Sequence, residues 1–240
     1  MSGPVIAILT FPRVTQLDLT GPYEVFSRLP GARVELVWKT LDPVRSDTGF
    51  GLLPTATLDA CPQATVIVVP GGPGQQDLMD DDAVLAFLRA QAAGAAWVMS
   101  VCTGSLVLGA AGLIAGRRAA CHWLSLPLVA ELGGIPADER VVFDGSLCST
   151  AGVSAGIDGA LALVARMAGR ETAEFTQLGI EYDPRPLFDA GHPRSAPADL
   201  VARVRSMAAP MIAARTAGVR AAAARLAAPA PGPGPERTDA

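Results

Sequence analysis

Three short runs dominated by apolar residues, Val5–Leu9, Thr65–Val69 and Ala96–Val101, set the first limit on what this chain can fold into. None alternates apolar with polar residues. Each therefore reads as a strand covered on both faces, as in a parallel sheet packed between helices. Val34–Trp38 makes a fourth strand. Between the strands lie segments of helical character: one beginning near Leu17 with Thr20 as its N-cap and Pro22 in its first turn, then Asp80–Ala93, Leu106–Ala111, Ser154–Ala168 and Glu171–Glu181. Strands alternating with helices argue for an α/β fold with an open, mostly parallel sheet and helices on both faces. In such folds the chemistry collects outside the carboxyl ends of the strands.

The chain has 240 residues, half of them hydrophobic, enough for one such domain with a large core. We expect a single domain over residues 1–228. Asp42–Pro54 reads as a hairpin or a strand-and-loop excursion, and Arg140–Cys148 as a hairpin turning at Asp144-Gly145. Pro184–Pro197 should be irregular, and Asp199–Ala227 is an Ala/Arg-rich helical stretch. The last twelve residues, 229–240, open with Pro-Ala-Pro-Gly-Pro-Gly-Pro-Glu and are expected to be a disordered tail.

Several function classes are disfavoured. A formal net charge of -4 supplies no basic footprint for nucleic acid or for an anionic membrane. The most apolar stretch, Gly104–Gly116, is too short to span a bilayer. The four cysteines, at 61, 102, 121 and 148, form no Cys-x-x-Cys pair and no cluster with histidine at zinc spacing. The amino terminus has no signal-peptide pattern, so a cytoplasmic protein with free thiols is expected. Gly72-Pro-Gly74-Gln-Gln-Asp77 lacks the third glycine of a dinucleotide fingerprint.

The residues with chemical potential gather after the strands. Cys102 follows Ala96–Val101 and precedes Thr103-Gly104-Ser105 and an Ala/Leu-rich helix. A thiol at a strand-to-helix turn faces the positive end of a helix dipole, which favours thiolate; the competing reading is a buried small hydrophobe. Asp18 lies among apolar neighbours, where burial would raise its pKa and fit it for proton transfer. It could equally be a helix-cap aspartate. Gly71 and Gly72 offer backbone N–H groups of the oxyanion-binding kind. Thr103 offers a hydroxyl and an N–H to a ligand, or simply caps the helix. His122 follows a short strand-like segment and could approach the sulfur or merely pack, whereas His192 sits in the Pro-rich loop with little claim. Cys61, Cys121 and Cys148 read as structural.

Longer motifs add a resemblance. Ser100-Val-Cys-Thr-Gly-Ser-Leu-Val-Leu-Gly-Ala-Ala-Gly-Leu113, then Gly116-Arg-Arg-Ala119 followed by His122-Trp123, resembles the ThiJ/PfpI superfamily. Gln16-Leu-Asp-Leu-Thr-Gly-Pro22, Val69-Pro-Gly-Gly72 and Ala155-Gly-Ile-Asp158 match it in order, and the likeness covers about residues 4–190. The aspartate in Leu17-Asp-Leu-Thr-Gly-Pro22, the Val101-Cys-Thr-Gly104 motif and the late segment Gln177–Gly191 are most similar to its isocyanide-hydrating branch. The resemblance implies a flavodoxin-like sandwich with the cysteine on a nucleophile elbow, a homodimer, no cofactor and no metal, and an isocyanide as small-molecule substrate. It carries the nucleophile onto Cys102 and the acid/base role onto Asp18, with Thr103 expected as the third catalytic residue, holding substrate or water together with the Gly71 and Gly72 amides. Thr103 stands where peptidase-like relatives have histidine. Ala119-Ala-Cys121 replaces the threonines common before His122, and Ala151-Gly-Val153-Ser154 departs from Gly-Gly-Ile-Thr, so His122 and Val153 are expected behind the reacting groups. A glyoxalase, deglycase or redox-sensing relative, or a ligand-binding domain like that of AraC-type regulators, remains the alternative.

Overall fold

The computed structural model describes residues 3–228, so the expected tail at 229–240 lies outside the described residues. The first half of the chain contains β1 (Val5–Leu9), α1 (Gln16–Ser27), β2 (Arg33–Trp38), β3 (Val44–Arg45), β4 (Gly51–Leu52), β5 (Ala56–Thr57), β6 (Val66–Val69), α2 (Gln75–Leu78) and α3 (Asp82–Gly94). Next come β7 (Trp97–Val101), α4 (Gly104–Ala110), β8 (Arg118–Ala119), α5 (Leu128–Glu131) and β9 (Ile135–Pro136). The chain continues with β10 (Val141–Asp144), β11 (Leu147–Thr150), α6 (Ala155–Ala168), α7 (Arg170–Gly179) and α8 (Ala198–Ala227).

Seven strands form one sheet in the order β10-β11-β7-β6-β1-β2-β5. Every neighbouring pair is parallel except the β10–β11 hairpin at one edge. The apolar runs behave as their composition requires: β6 is buried at all four positions, and β1 and β7 at all but the first. Helices α1 and α6 pack on each other and on the sheet; α3 and α4 do likewise as a second group, with α8 lying over α4 and α5. The chain leaves β1 for β2 on one side and returns to β6 on the other, so the direction of winding reverses between β1 and β6. A crevice opens at such a switch point, and the segments that follow β1, β6 and β7 meet there.

Several local expectations need correction. Helix α1 begins at Gln16, beside the expected start, but its N-cap is Thr15 and not Thr20. Thr20 is inside the helix, where its hydroxyl lies 2.9 Å from Gln16 Oε1. Pro22 is also interior; it has no N–H for the Asp18 carbonyl four residues back, and its ring lies against Gly156 of α6. The helix expected at Asp80–Ala93 forms as α3 but starts two residues later, where Asp81 caps it through Val84 N (3.2 Å), and the short α2 before it was not expected. The segment leading to His122 contributes β8 to a separate two-stranded sheet with β9, and His122 itself follows in a turn. Both hairpins form, and 184–197 contains no helix or strand.

Gly104 shows how tightly the elbow is seated. A Cβ there would stand 1.9 Å from the Val69 carbonyl oxygen, so the first turn of α4 presses directly on the end of β6. Gly104→Ala should therefore cost roughly 1–3 kcal/mol in urea unfolding, the range for overpacking a tight interior. The accompanying displacement of α4 should appear as a changed alkylation rate at Cys102.

Candidate active site

Cys102 joins β7 to α4 with φ 57°, a left-handed conformation uncommon for a residue with a side chain. Such a backbone costs on the order of 1–3 kcal/mol and persists where its surroundings enforce it. Here the Cys102 amide donates to the Ala151 carbonyl (2.9 Å), and α4 starts two residues later against β6. The side chain is buried. The backbone N–H groups of Val153 and Thr103 point at the sulfur and favour thiolate, yet burial, the neighbouring Asp18 charge and Cys121 push the thiol well above its ordinary range. This corrects the expectation of a thiol activated by a helix dipole alone. Helix α4 has seven residues, and the two amides at the sulfur, Thr103 at its N-cap and Val153 before α6, are outweighed by desolvation.

Asp18 lies in the first turn of α1 with no exposed surface. It is not the cap: Thr15 holds that position, and the Thr15 hydroxyl bonds instead to Asp47 (2.7 Å). Asp18 Oδ2 accepts the Gly71 amide at 2.9 Å, while Oδ1 is buried without a hydrogen-bond partner. Burial raises its pKa to about 7; the Gly71 amide and the adjacent Cys102 thiol restrain the rise, and Asp47 adds to it. Asp18 is therefore near balance between acid and base at neutral pH, beside a thiol.

Thr103 occupies the N-cap position of α4, but its side chain makes no capping bond. Its Oγ1 accepts the Gly72 amide (3.1 Å) instead. Gly71 and Gly72 thus do come to the site, in a different capacity from the one expected: both amides are already engaged by protein acceptors, one by Asp18 and one by Thr103. They hold the acid and the elbow in place. At Gly71 a Cβ would meet Thr103 Oγ1 at 2.5 Å and Asp18 Oδ2 at 2.9 Å, so this position has no room for a side chain.

His122 is half-buried, and its Nδ1 accepts the Leu124 amide (3.3 Å). Its ring stands against Gly152, where a Cβ would approach Cδ2 to 2.9 Å. Burial and then the charge of Arg215 lower its pKa to about 4, so it is neutral at physiological pH. Cys121, His122, Trp123, Gly152 and Val153 line one side of a pocket of about 900 Å³, closed on the other by the irregular segment around Tyr182–Ser195. His192 lies in that segment, 3.3 Å from Asp138. All four cysteines are free. Among the described residues no group of three or more His, Cys, Asp or Glu side chains is placed to hold a metal.

Among the buried polar residues that sequence reasoning did not single out are Gln75 and Arg215. Gln75, at the start of α2, has no exposed surface and neither end of its side-chain amide has a partner. Arg215, from α8, is buried beside Ser125. Nothing in the Ala/Arg-rich sequence of α8 separates Arg215 from Arg203, Arg205, Arg220 or Arg225.

Known proteins share this arrangement to differing extents. The isonitrile hydratase of Pseudomonas putida is 52% identical over 221 residues, covering 92% of this chain and 97% of its own. A crystal structure of a ThiJ/PfpI family protein from Pseudomonas syringae superposes with a TM-score of 0.88 at 41% identity, over 93% of this chain and 91% of that one. The HTH-type transcriptional regulator GbdR of Pseudomonas aeruginosa is 30% identical over 67% of this chain, which spans 45% of the regulator. The DJ-1/PfpI family pattern matches residues 5–166. Because that match runs from the first residue of β1 through most of α6, and so takes in all seven strands of the main sheet together with Asp18 and Cys102, this chain belongs to the DJ-1/PfpI family.

Proposed function

We propose that the protein is an isocyanide hydratase, adding water to R–N≡C to give an N-substituted formamide. The observation that carries this reading is the 52% identity to an isonitrile hydratase over nearly the whole of both chains. The site suits the chemistry: a buried thiol lies beside a carboxyl group that has one oxygen anchored and the other unpartnered.

In the first step Asp18, as carboxylate, takes the thiol proton while Cys102 Sγ attacks the terminal isocyanide carbon. The same proton then passes from Asp18 to that carbon, leaving the thioimidate R–N=CH–S–Cys102. In the second step Asp18 accepts a proton from water as the hydroxyl adds to the carbon, and passes that proton to the nitrogen. Collapse of R–NH–CH(OH)–S–Cys102 breaks the C–S bond, the hydroxyl proton returns to the sulfur, and R–NH–CHO leaves. A group that titrates near 7 serves as base and acid in turn with little cost in either direction. Thr103 and Gly72 keep the elbow fixed, Gly71 orients Asp18, and Val153 directs its amide at the sulfur. The R group is assigned to the pocket walled by Trp123 and Val153, with neutral His122 as part of that wall. The resemblance also carries a cytoplasmic homodimer; Phe175, Leu178, Leu187 and Phe188, all exposed, are apolar surface suited to a second copy.

Incubation with an aliphatic or aryl isocyanide should release the formamide. Cys102→Ala should abolish turnover, and Asp18→Asn should lower kcat by about 10²–10⁴, the usual scale for a lost general acid–base. Turnover that survives Cys102→Ala would exclude the covalent route, and consumption of methylglyoxal in place of isocyanide would point to a glyoxalase.

The rise of kcat/KM with pH should have its midpoint at about 7, where Asp18 ionises, and Asp18→Asn should flatten it. Stability follows with the opposite sign. The folded-state pKa of Asp18 lies above its unfolded value, so the folded state holds the proton more tightly and stability is lost as pH rises from about 4 to about 7. Asp18→Asn should therefore raise Tm more at pH 8 than at pH 4, which melting curves at the two pH values will measure.

A further inference from the structure

The segment that closes the pocket is attached at its two ends and nowhere between. Among the described residues, no backbone hydrogen bond involves residues 184–191, and the ion pair of Arg185 is to Asp183 in the same segment. Pro184 and Pro186 have no N–H to give. All of these residues are exposed, yet they stand across the pocket from Trp123 and Val153, and Phe188 contributes to its lining. A stretch without backbone bonds or buried apolar contacts opens at small cost in free energy.

The two attachments differ in kind. At the first, the Tyr182 amide donates to the Gln177 carbonyl (3.0 Å) and Gln177 Nε2 donates to the Tyr182 carbonyl (3.0 Å), which fixes the strap to the end of α7. The Tyr182 hydroxyl donates to Asp158 Oδ2 (3.0 Å), an oxygen that also accepts Arg140 Nε (2.8 Å). At the second, one carboxylate holds everything. Asp138, in the loop between β9 and β10, accepts Arg194 Nη1 on Oδ2 and on its carbonyl oxygen, and His192 Nε2 lies 3.3 Å from Oδ1. The Arg194 amide donates to His192 Nδ1 (3.1 Å), so a neutral ring carries its proton on Nε2, on the side of Asp138. The Asp138 and Arg194 side chains are 54% and 61% exposed. Ion pairs so open to water hold weakly and are screened by salt.

The reacting groups need such an opening. Cys102 is buried and Asp18 has no exposed surface, while Val153, whose amide points at the sulfur, is part of the pocket wall. We propose that residues 184–194 form a strap that gates the pocket and supplies its outer wall, with the Tyr182–Asp158 end as anchor and Asp138 as the latch. Asp138 is thereby a specificity-determining residue: the latched strap favours isocyanides whose R group is large enough to touch it. The proposal rests on the reading that this pocket receives the R group.

The test compares the full-length protein with Asp138→Ala and Arg194→Met, which break the latch from its two sides. Cys102 is labelled with iodoacetamide and, separately, with a bulky maleimide, and counted by peptide mapping. Both reagents need the same thiolate, so the ratio of their rates reports the width of the opening. In both variants the bulky-to-small ratio should rise by about three- to tenfold, the population change that weak surface pairs can hold. Raising NaCl to about 1 M should increase the ratio in wild type and leave it unchanged in Asp138→Ala. A merely destabilised protein would label faster with both reagents and show no such salt response. The kcat/KM for benzyl isocyanide relative to methyl isocyanide should fall by the same three- to tenfold order in the variants, through KM more than kcat. An unmoved labelling ratio in either variant overturns the latch. Labelling that depends on protein concentration but not on Asp138 overturns it in favour of a strap pinned by a second copy. If no isocyanide is turned over, the hydratase reading falls while the labelling ratio still decides the strap; normal turnover with unmoved ratios removes the strap alone.

Discussion

The hydrogen bond from the Gly71 amide to Asp18 Oδ2, 2.9 Å long and wholly buried, ties the loop after β6 to the helix after β1. The companion bond from the Gly72 amide to Thr103 Oγ1 ties the same loop to the elbow after β7. Three consecutive sheet neighbours are thus latched together at their carboxyl ends by adjacent residues of one loop. With this latch in place Asp18 cannot turn away from the sulfur, and Cys102 is kept in its left-handed conformation between the Ala151 carbonyl and the start of α4. The glycines matter because the latch has no space for side chains, and because their amides must reach acceptors on two different elements.

The latch encloses charge, and that sets the chemistry. Burial raises both the carboxyl and the thiol, so neither is strongly ionised by itself near neutral pH. A low-dielectric site makes each remaining dipole and charge count for more than it would in water. The amides of Val153 and Thr103 at the sulfur and of Gly71 at the carboxyl are the groups that favour negative charge there. A proton that passes between Asp18 and Cys102 stays within the site, which matches a hydration in which one group must accept a proton and return it to the same carbon.

Much of the framework was legible from residue order. Val5–Leu9 forms β1 at the expected limits, the Asp144-Gly145 hairpin is present, and the stretch from Asp199 to Ala227 forms one helix, because apolar runs, turn residues and helix formers act over a few neighbours. The errors fall where distant contacts override local preference. Pro22 sits inside α1 because packing on α6 holds the helix together around the missing bond. Asp18 resembled a cap locally and is instead a buried acid bonded across 53 residues to Gly71. For His122, approach to the thiol and simple packing were equally open from sequence, and only the fold places it in a turn as a neutral part of the pocket wall.

The order of residues by itself determined that this chain builds a parallel α/β sheet with a thiol at a strand-to-helix turn and an aspartate after the first strand. Those features depend on period, turn chemistry and motif, all of which are local. Only the tertiary structure decided what the thiol and the carboxyl experience: that the Gly71 and Gly72 amides are engaged by protein acceptors, that the Val153 amide from the loop before α6 reaches the sulfur, and that burial raises both pKa values. Electrostatic interactions in a desolvated site depend on distance and on the exclusion of water, and neither is set until the distant segments have packed.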